Sequence, residues 1–285
     1  MTSPLWKARD HEWILDRRTI IMGVLNVTPD SFSDGGRHVD PESALKSALE
    51  MVAAGADIID VGGESSRPGS DPVPQEEELR RVVPVVRAIA DASPVAVSVD
   101  TTKAEVAEAA LTVGASIIND ISGGAHDPRI FDVARKFRAG LVLMHMKGNP
   151  KTMQDDPRYE NVVEEVVRTL RAQIDRALAA GVSPEQIVVD PGIGFGKNLE
   201  HNVTLLQSLP DIIHTCGRPV LVGLSRKRFI GAITGRDIQD RLPGSLAAMA
   251  FAMMRGARII RVHDVNESCD VARMMDTLTS GKGDR

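Results

Sequence analysis

The chain has little aromatic surface: two Trp, one Tyr and six Phe in 285 residues, 3% of the whole. That poverty argues against a base-stacking platform for nucleic acid, which needs Phe, Tyr or Trp faces. A basic excess is missing too. Lys and Arg number 34 against 39 Asp and Glu, a formal net charge of −5. That is the wrong sign for a general binder of phosphate backbones. Cysteine is scarce: Cys216 and Cys269 form neither a spaced framework nor a metal pattern, which predicts a reducing compartment. No apolar run spans a bilayer. The longest, Leu246 to Met254, falls far short of the ~18 residues required. No basic start followed by an apolar segment opens the chain, so no signal peptide is read there. The expectation is a cytoplasmic protein with neither a nucleic-acid nor a membrane partner.

What is present is alternation. Short apolar runs occur at Ile20–Asn26, Asp57–Gly62, Val95–Asp100, Ser116–Asp120, Leu141–His145, Gln186–Asp190, Pro219–Gly223 and Arg258–Val262. Between them, helical spacing of apolar residues marks Glu42–Ala54, Glu76–Ala90, Ala104–Leu111, Val162–Ala180 and Leu242–Arg255. Continuous apolar strands alternating with helices predict a parallel sheet covered on its outer face. Eight such repeats in a chain of this length predict an α/β fold, a single (β/α)8 TIM barrel over 1–285 with 1–18 as an N-terminal extension. The competing open doubly wound sheet carries a Gly-rich loop after its first strand, and here that strand runs into Asn26-Val27-Thr28-Pro29-Asp30.

A weak internal repeat supports the barrel. Gly55-Ala56-Asp57-Ile58-Ile59-Asp60-Val61 is echoed by Gly114 to Asp120 and by Gly256 to Val262. Each Gly suits a helix C′ position, where left-handed dihedrals are needed. Each Ile pair then lies in a strand, and Asp60, Asn119 and Arg261 share the face of the first Ile. Asn26, Asp100, His145 and Asp190 close other strands in the same way. In a barrel these ends converge on one mouth, where active sites sit. Polar residues there also cap following helices, a role that Arg261 cannot fill.

Two long Gly/Pro/Ser-rich segments follow the first two strands, Thr28 to Gly36 and Gly62 to Gly69. Loops of this kind are commonly functional. Asp190-Pro191-Gly192-Ile193-Gly194-Phe195-Gly196-Lys197 is not a phosphate loop: Pro191 and Asn198 stand where the pattern needs Gly and Ser or Thr. It reads instead as backbone brought close to a flat ligand, with Asp190 as the polar reader. Arg67, Lys227, Arg261 and His263 are the cations available for an anion. Together with Asp100 and Asp190 they suit a ligand with a hydrogen-bond-donating heterocycle and an anionic tail. No zinc spacing and no nucleophile elbow is present. A hard cation held mainly by water and phosphate oxygens would leave little trace in the sequence.

Asn26 to Gly36 resembles the first signature of dihydropteroate synthases, the pterin-binding enzyme family, and Gly62 to Gly69 resembles the second loop. Met144-His145-Met146, Asp190 to Lys197, Ser225-Arg226-Lys227 and Arg261 to Val265 match in order, so the likeness runs from about Ile20 to Val265. It implies a transferase of folate biosynthesis. Such enzymes join 6-hydroxymethyl-7,8-dihydropterin pyrophosphate to p-aminobenzoate and are sulfonamide targets. By the same likeness, Asp100, Asn119, Ile121, Met144, Asp190, Phe195, Gly223 and Lys227 would bind the pterin. Asn26, Ser66, Arg67, Arg261 and His263 would bind pyrophosphate, with Asn26 on Mg²⁺. Phe32, Pro68 and Phe195 would enclose p-aminobenzoate. Arg67, Lys227, Arg261 and His263 are the implied catalytic set, and a homodimer is implied. Two positions depart from the family pattern: Ser66 where Thr is usual, and Arg228 where many members have Ser.

The implied mechanism ionises the pterin C–O bond before the arylamine attacks, which fits the lack of an evident acid–base dyad. On this reading Arg261→Ala leaves the fold intact and slows turnover ~10²–10³-fold, while Asp190→Asn abolishes pterin binding. Two rivals share parts of the pattern. A pterin-binding methyltransferase of the same superfamily would keep Asp100, Asn119 and Asp190 without needing Arg261 and His263. A non-catalytic pterin binder would not need the full cation set.

Overall fold

The computed structural model describes residues 5–16, 18–28, 40–65, 69–148 and 151–280. All eight expected apolar runs are strands: β3 (Ile20–Asn26), β4 (Ile58–Gly62), β5 (Ala96–Asp100), β6 (Ile117–Asp120), β7 (Gly140–Met144), β8 (Ile187–Asp190), β9 (Leu221–Gly223) and β10 (Ile259–Val262). Neighbours pair in parallel from β3 through β8, and β9 pairs with β10, which pairs with β3. The ring closes between β8 and β9, where the Val189 N–H donates to the Pro219 carbonyl at 3.0 Å. The (β/α)8 barrel is therefore the fold.

Side chains alternate across this sheet with period two. Ile21, Leu25, Ile59, Val61, Val97, Val99 and Ile118 point outward into the core shared with the helices. Ile20, Met22, Ile58, Ala96, Ile117, Val142, Val188, Leu221 and Ile259 form the inner floor. Two residues further along their strands, Asp60, Asn119, Asp190 and Arg261 thus come onto the inner face. The three repeat glycines follow helix C-caps as expected. Gly55, Gly114 and Gly256 have φ of +106°, +119° and +98°.

The helices are α1 (Pro41–Ala53), α2 (Gln75–Ala92), α3 (Ala104–Thr112), α4 (Ile130–Phe137), α5 (Val162–Ala179), α6 (Leu199–Gln207), α7 (Leu209–Cys216), α8 (Arg228–Thr234), α9 (Leu242–Met254) and α10 (Val265–Ser280). The five expected from spacing are all found. Among the described residues five more are found; most are short, and Pro210 divides α6 from α7, which weakens the spacing signal.

The N-terminal segment is a structural plug. β1 (Leu5–Ala8) and β2 (His11–Ile14) form an antiparallel hairpin that pairs Trp6 with Trp13. Both indoles are buried in the inner floor cluster, with ring centroids 4.9 Å apart. Trp6 Nε1 donates to the Gln186 carbonyl at 3.0 Å, satisfying its one polar atom. The hairpin thus seals the end of the barrel opposite the mouth, and both tryptophans of a chain poor in aromatics are spent there. Among the described residues no helix is long and apolar enough to cross a membrane.

Candidate active site

The mouth is a ring of polar side chains on the inner ends of the strands. Arg261 of β10 lies at its centre. Its Nε donates to Asp60 Oδ2 at 2.6 Å and its Nη2 to Asp100 Oδ2 at 2.7 Å. Asn119 of β6 donates from Nδ2 to the same Asp60 oxygen at 3.0 Å. The Asp60 carboxylate thereby ties three strands, β4, β6 and β10, and Asp100 adds β5 through Arg261. Asp60, Asp100, Asn119 and Asp190 are all buried. Burial holds the Asp100 carboxyl well above the usual range; Arg261 opposes that rise, and the nearby Asp60 charge adds to it. Burial also raises Asp190, against the pull of the Lys227 charge.

The Lys227 amine faces Asp190 across the mouth. Burial brings it down to about 8, less than burial alone would, because Asp190 favours the charged form. Its Nζ donates to the Ile193 carbonyl and lies 4.7 Å from the centroid of the Phe195 ring. Gly223 lies between these cations, where a side chain would sit at ordinary contact distance from both. A Cβ there would stand 3.7 Å from Lys227 Nζ and 3.8 Å from Arg261 Cβ. Met144 is buried on the inner face of β7, two residues beyond the floor residue Val142. Asn26 and Ile121 are half-buried at the ends of β3 and β6.

Two of the glycines after β8 also serve the packing of loops. A Cβ at Gly192 would lie 1.9 Å from the His145 carbonyl oxygen, and one at Gly196 2.4 Å from that of Lys147. Their missing side chains let this loop pack on the loop after β7, and positive φ of +67° and +61° demands glycine as well. Asp190 accepts from the Gly192 N–H at 2.7 Å, which fixes the carboxylate. His145 closes β7 as expected, but its ring belongs to the scaffold. Lys197 Nζ sits 3.0 Å from His145 Nδ1 and donates to the Phe195 carbonyl at 2.9 Å. Burial, with the Lys197 charge beside it, lowers His145 to about 3, so the imidazole is neutral.

At the far side, Ser225 Oγ lies 3.1 Å from His263 Nδ1 and accepts from the His263 N–H at 3.3 Å. Arg226 adopts a left-handed φ of +59° and pairs with Asp264. This bend carries Lys227 inward while Arg228 remains exposed at the start of α8. The structure thus groups Asp100, Asn119, Asp190, Gly223, Lys227 and Arg261, with Met144, Phe195 and His263 around them. Phe32, Ser66, Arg67 and Pro68 lie outside the described residues.

Three features escaped assignment from sequence. Asp60 was visible through its repeat offset, yet it received no role. Lys197 stands at the end of a recognised motif, but its burial carries no sequence signal. Lys103 bridges Glu64 and Glu78 at 2.5 Å each, while Arg81 donates to the Gly63 carbonyl at 2.9 Å. These contacts anchor the start of the second loop.

The donor set bears on a metal. Among the described residues no cluster of three or more His, Cys, Asp or Glu could hold an ion. Asn26 offers one neutral amide oxygen, which fits a hard cation whose remaining ligands are water and phosphate.

The pterin-binding enzyme model matches residues 22–263. The dihydropteroate synthase of Escherichia coli K12 is 50% identical over 262 residues, 92% of each chain. Among solved structures, the Yersinia pestis dihydropteroate synthase in a sulfonamide drug complex superposes with a TM-score of 0.90 at 44% identity, covering 98% of this chain and 100% of that one. The Xanthomonas albilineans dihydropteroate synthase with 4-aminobenzoic acid also gives 0.90 at 44% identity, over 98% and 99%. Its complex with 7,8-dihydropteroate gives 0.86 at 41%, over 97% and 99%. This chain belongs to the dihydropteroate synthase family of pterin-binding enzymes.

Proposed function

We propose that the chain condenses 6-hydroxymethyl-7,8-dihydropterin pyrophosphate with p-aminobenzoate, giving 7,8-dihydropteroate and pyrophosphate. The observation that carries this reading is the juxtaposition of buried acceptors, Asp100, Asn119 and Asp190, with the cations Lys227 and Arg261 in one barrel mouth. Relatives solved with 4-aminobenzoic acid and with 7,8-dihydropteroate support the choice of substrate and product.

The acceptors read a heterocycle rich in N–H groups, with Met144 and Phe195 along its faces. Phe195 also encloses p-aminobenzoate, with Phe32 and Pro68. Arg261 retains N–H donors beyond its two carboxylate bonds. With His263, and with Ser66 and Arg67 by the family likeness, these are the proposed pyrophosphate binders. The pterin C–O bond breaks with its electron pair leaving on pyrophosphate, whose growing charge these cations stabilise. The arylamine nitrogen then forms the C–N bond with its lone pair and releases a proton to solvent. No strong base is needed. Asn26 would hold Mg²⁺ together with the substrate's phosphate oxygens, and a bound Mg²⁺ supplies charge neutralisation to the leaving group.

A second copy of the chain is the proposed partner. Ile233, Ile238, Phe251, Met254, Met274 and Leu278 are exposed on or beside α8, α9 and α10, which pack side by side. Monomers rarely leave so much apolar surface bare. A cytoplasmic location fits two buried free thiols. The test of function is pyrophosphate release that requires both substrates and is blocked by a sulfonamide. Methyl transfer to a corrinoid, or pterin binding without turnover, would favour the rival readings.

A further inference from the structure

We infer that Asp60 is a positioning residue: it sets the polarity with which Asn119 meets the heterocycle and the orientation of Arg261 beside it. The inference rests on the proposed pterin reading of the mouth.

Asp60 has no solvent-accessible surface, so it acts only through its neighbours. Both of its partnerships converge on one oxygen. Oδ2 accepts from Arg261 Nε at 2.6 Å and from Asn119 Nδ2 at 3.0 Å, while Oδ1 is buried without a partner among the described residues. A carboxylate paired with a guanidinium is an acceptor only. An amide beside it must therefore offer its NH₂, which turns the Asn119 carbonyl away from Asp60 and toward the mouth. An Asn alone is ambiguous, since its two ends differ by a flip. Asp60 removes that ambiguity from below.

Asn119 consequently presents an acceptor. Asp100 and Asp190 are acceptors as well, so the reading edge is built for a ligand that donates throughout. The same carboxylate fixes the Nε edge of Arg261, with Asp100 at 2.7 Å holding Nη2. The remaining guanidinium donors are then aimed together. Among the described residues, the groups facing Asp60 are Arg261 from β10, Asn119 from β6, the Asp60 register partner Ser98 on β5 and, through Arg261, Asp100 from β5. A heterocycle with an acceptor in place of the N–H opposite Asn119 would meet a carbonyl and be rejected. Unpaired buried polar groups of this kind discriminate strongly.

A swap of the two side chains tests this, read by calorimetry with 6-hydroxymethyl-7,8-dihydropterin as the probe. Asp60→Asn should weaken binding about tenfold or more, the scale of a lost buried bond to a charged group. Asn119→Asp sets two carboxylates in contact, so one must hold a proton. Its affinity, relative to wild type at each pH, should fall as pH rises across neutrality. In the double variant the amide introduced by Asp60→Asn can donate to the carboxylate introduced by Asn119→Asp. An acceptor then still faces the mouth, so binding should recover at least threefold over the weaker single variant. A smaller recovery overturns the inference, as does unaltered binding by Asp60→Asn. If Asp60→Asn does not fold, the Asn119→Asp profile decides: pH-dependent weakening supports the inference, and a profile parallel to wild type overturns it. Failure of the wild-type protein to bind the pterin would instead strike at the functional reading itself.

Discussion

Arg261 Nη2 donates to Asp100 Oδ2 at 2.7 Å, so the cation proposed for the leaving anion is ion-paired with a carboxylate proposed for the heterocycle. The two subsites share a charge network.

This changes what Arg261→Ala should do. The sequence pattern suggests a loss of turnover with the fold intact. In the structure, removing the guanidinium leaves Asp60 and Asp100 buried with their charges uncompensated. Breaking a buried pair from one side typically destabilises by about 3–5 kcal/mol. The expected outcome is a drop in unfolding free energy of that order by denaturant titration, alongside the loss of turnover. A variant as stable as wild type would contradict the network.

Binding of the pterin should depend on pH on both sides. Lys227 sits at about 8 in the free protein, so its charge opposite Asp190 is present below that pH and is lost as pH rises through it. Asp100 and Asp190 are raised, so their acceptor character is lost as pH falls. Calorimetry across pH should give an affinity that falls at both ends. Lys227→Arg should move the alkaline limb upward, because a guanidinium stays protonated there.

The hairpin predicts a separation of stability from activity. Trp6→Ala empties the barrel floor and should cost about 3–5 kcal/mol. The mouth lies at the other end of the strands, so kcat and KM of the folded fraction should hold. Thermal melting and steady-state kinetics together check this; a large change in pterin KM would show that the floor shapes the site.

Gly192 and Gly217 give a paired test of why glycine is present. Both have positive φ, +67° and +60°. A Cβ at Gly192 would meet the His145 carbonyl at 1.9 Å, whereas one at Gly217 meets nothing within 4 Å. Gly217→Ala should cost roughly 1 kcal/mol from backbone strain alone. Gly192→Ala should displace the loop carrying Ile193 and Phe195 and weaken pterin binding well beyond any effect at Gly217. Equal effects in unfolding and binding assays would contradict the close-packing account.

The strands and mouth were legible because continuous apolar runs and the repeated Gly-x-x-Ile-Ile pattern are local in sequence. Asp100, Asn119, Asp190 and Arg261 announced themselves as polar endings of apolar runs. What was not legible depends on distant partners. Nothing near Asp60 in the chain reveals that Arg261, 201 residues away, will pair with it. Lys197 and His145 look like surface or site residues until the two loops are packed together. The hairpin hides behind charged residues such as Lys7, Arg9 and Glu12, because only its Trp6 and Trp13 face is buried.

The central claim is a condensation at this mouth, and pyrophosphate release by the purified chain tests it most directly. Release should require both 6-hydroxymethyl-7,8-dihydropterin pyrophosphate and p-aminobenzoate, match dihydropteroate formed one for one, and vanish in Asp190→Asn. Release that proceeds equally well without p-aminobenzoate, or no release with both substrates present, would contradict it.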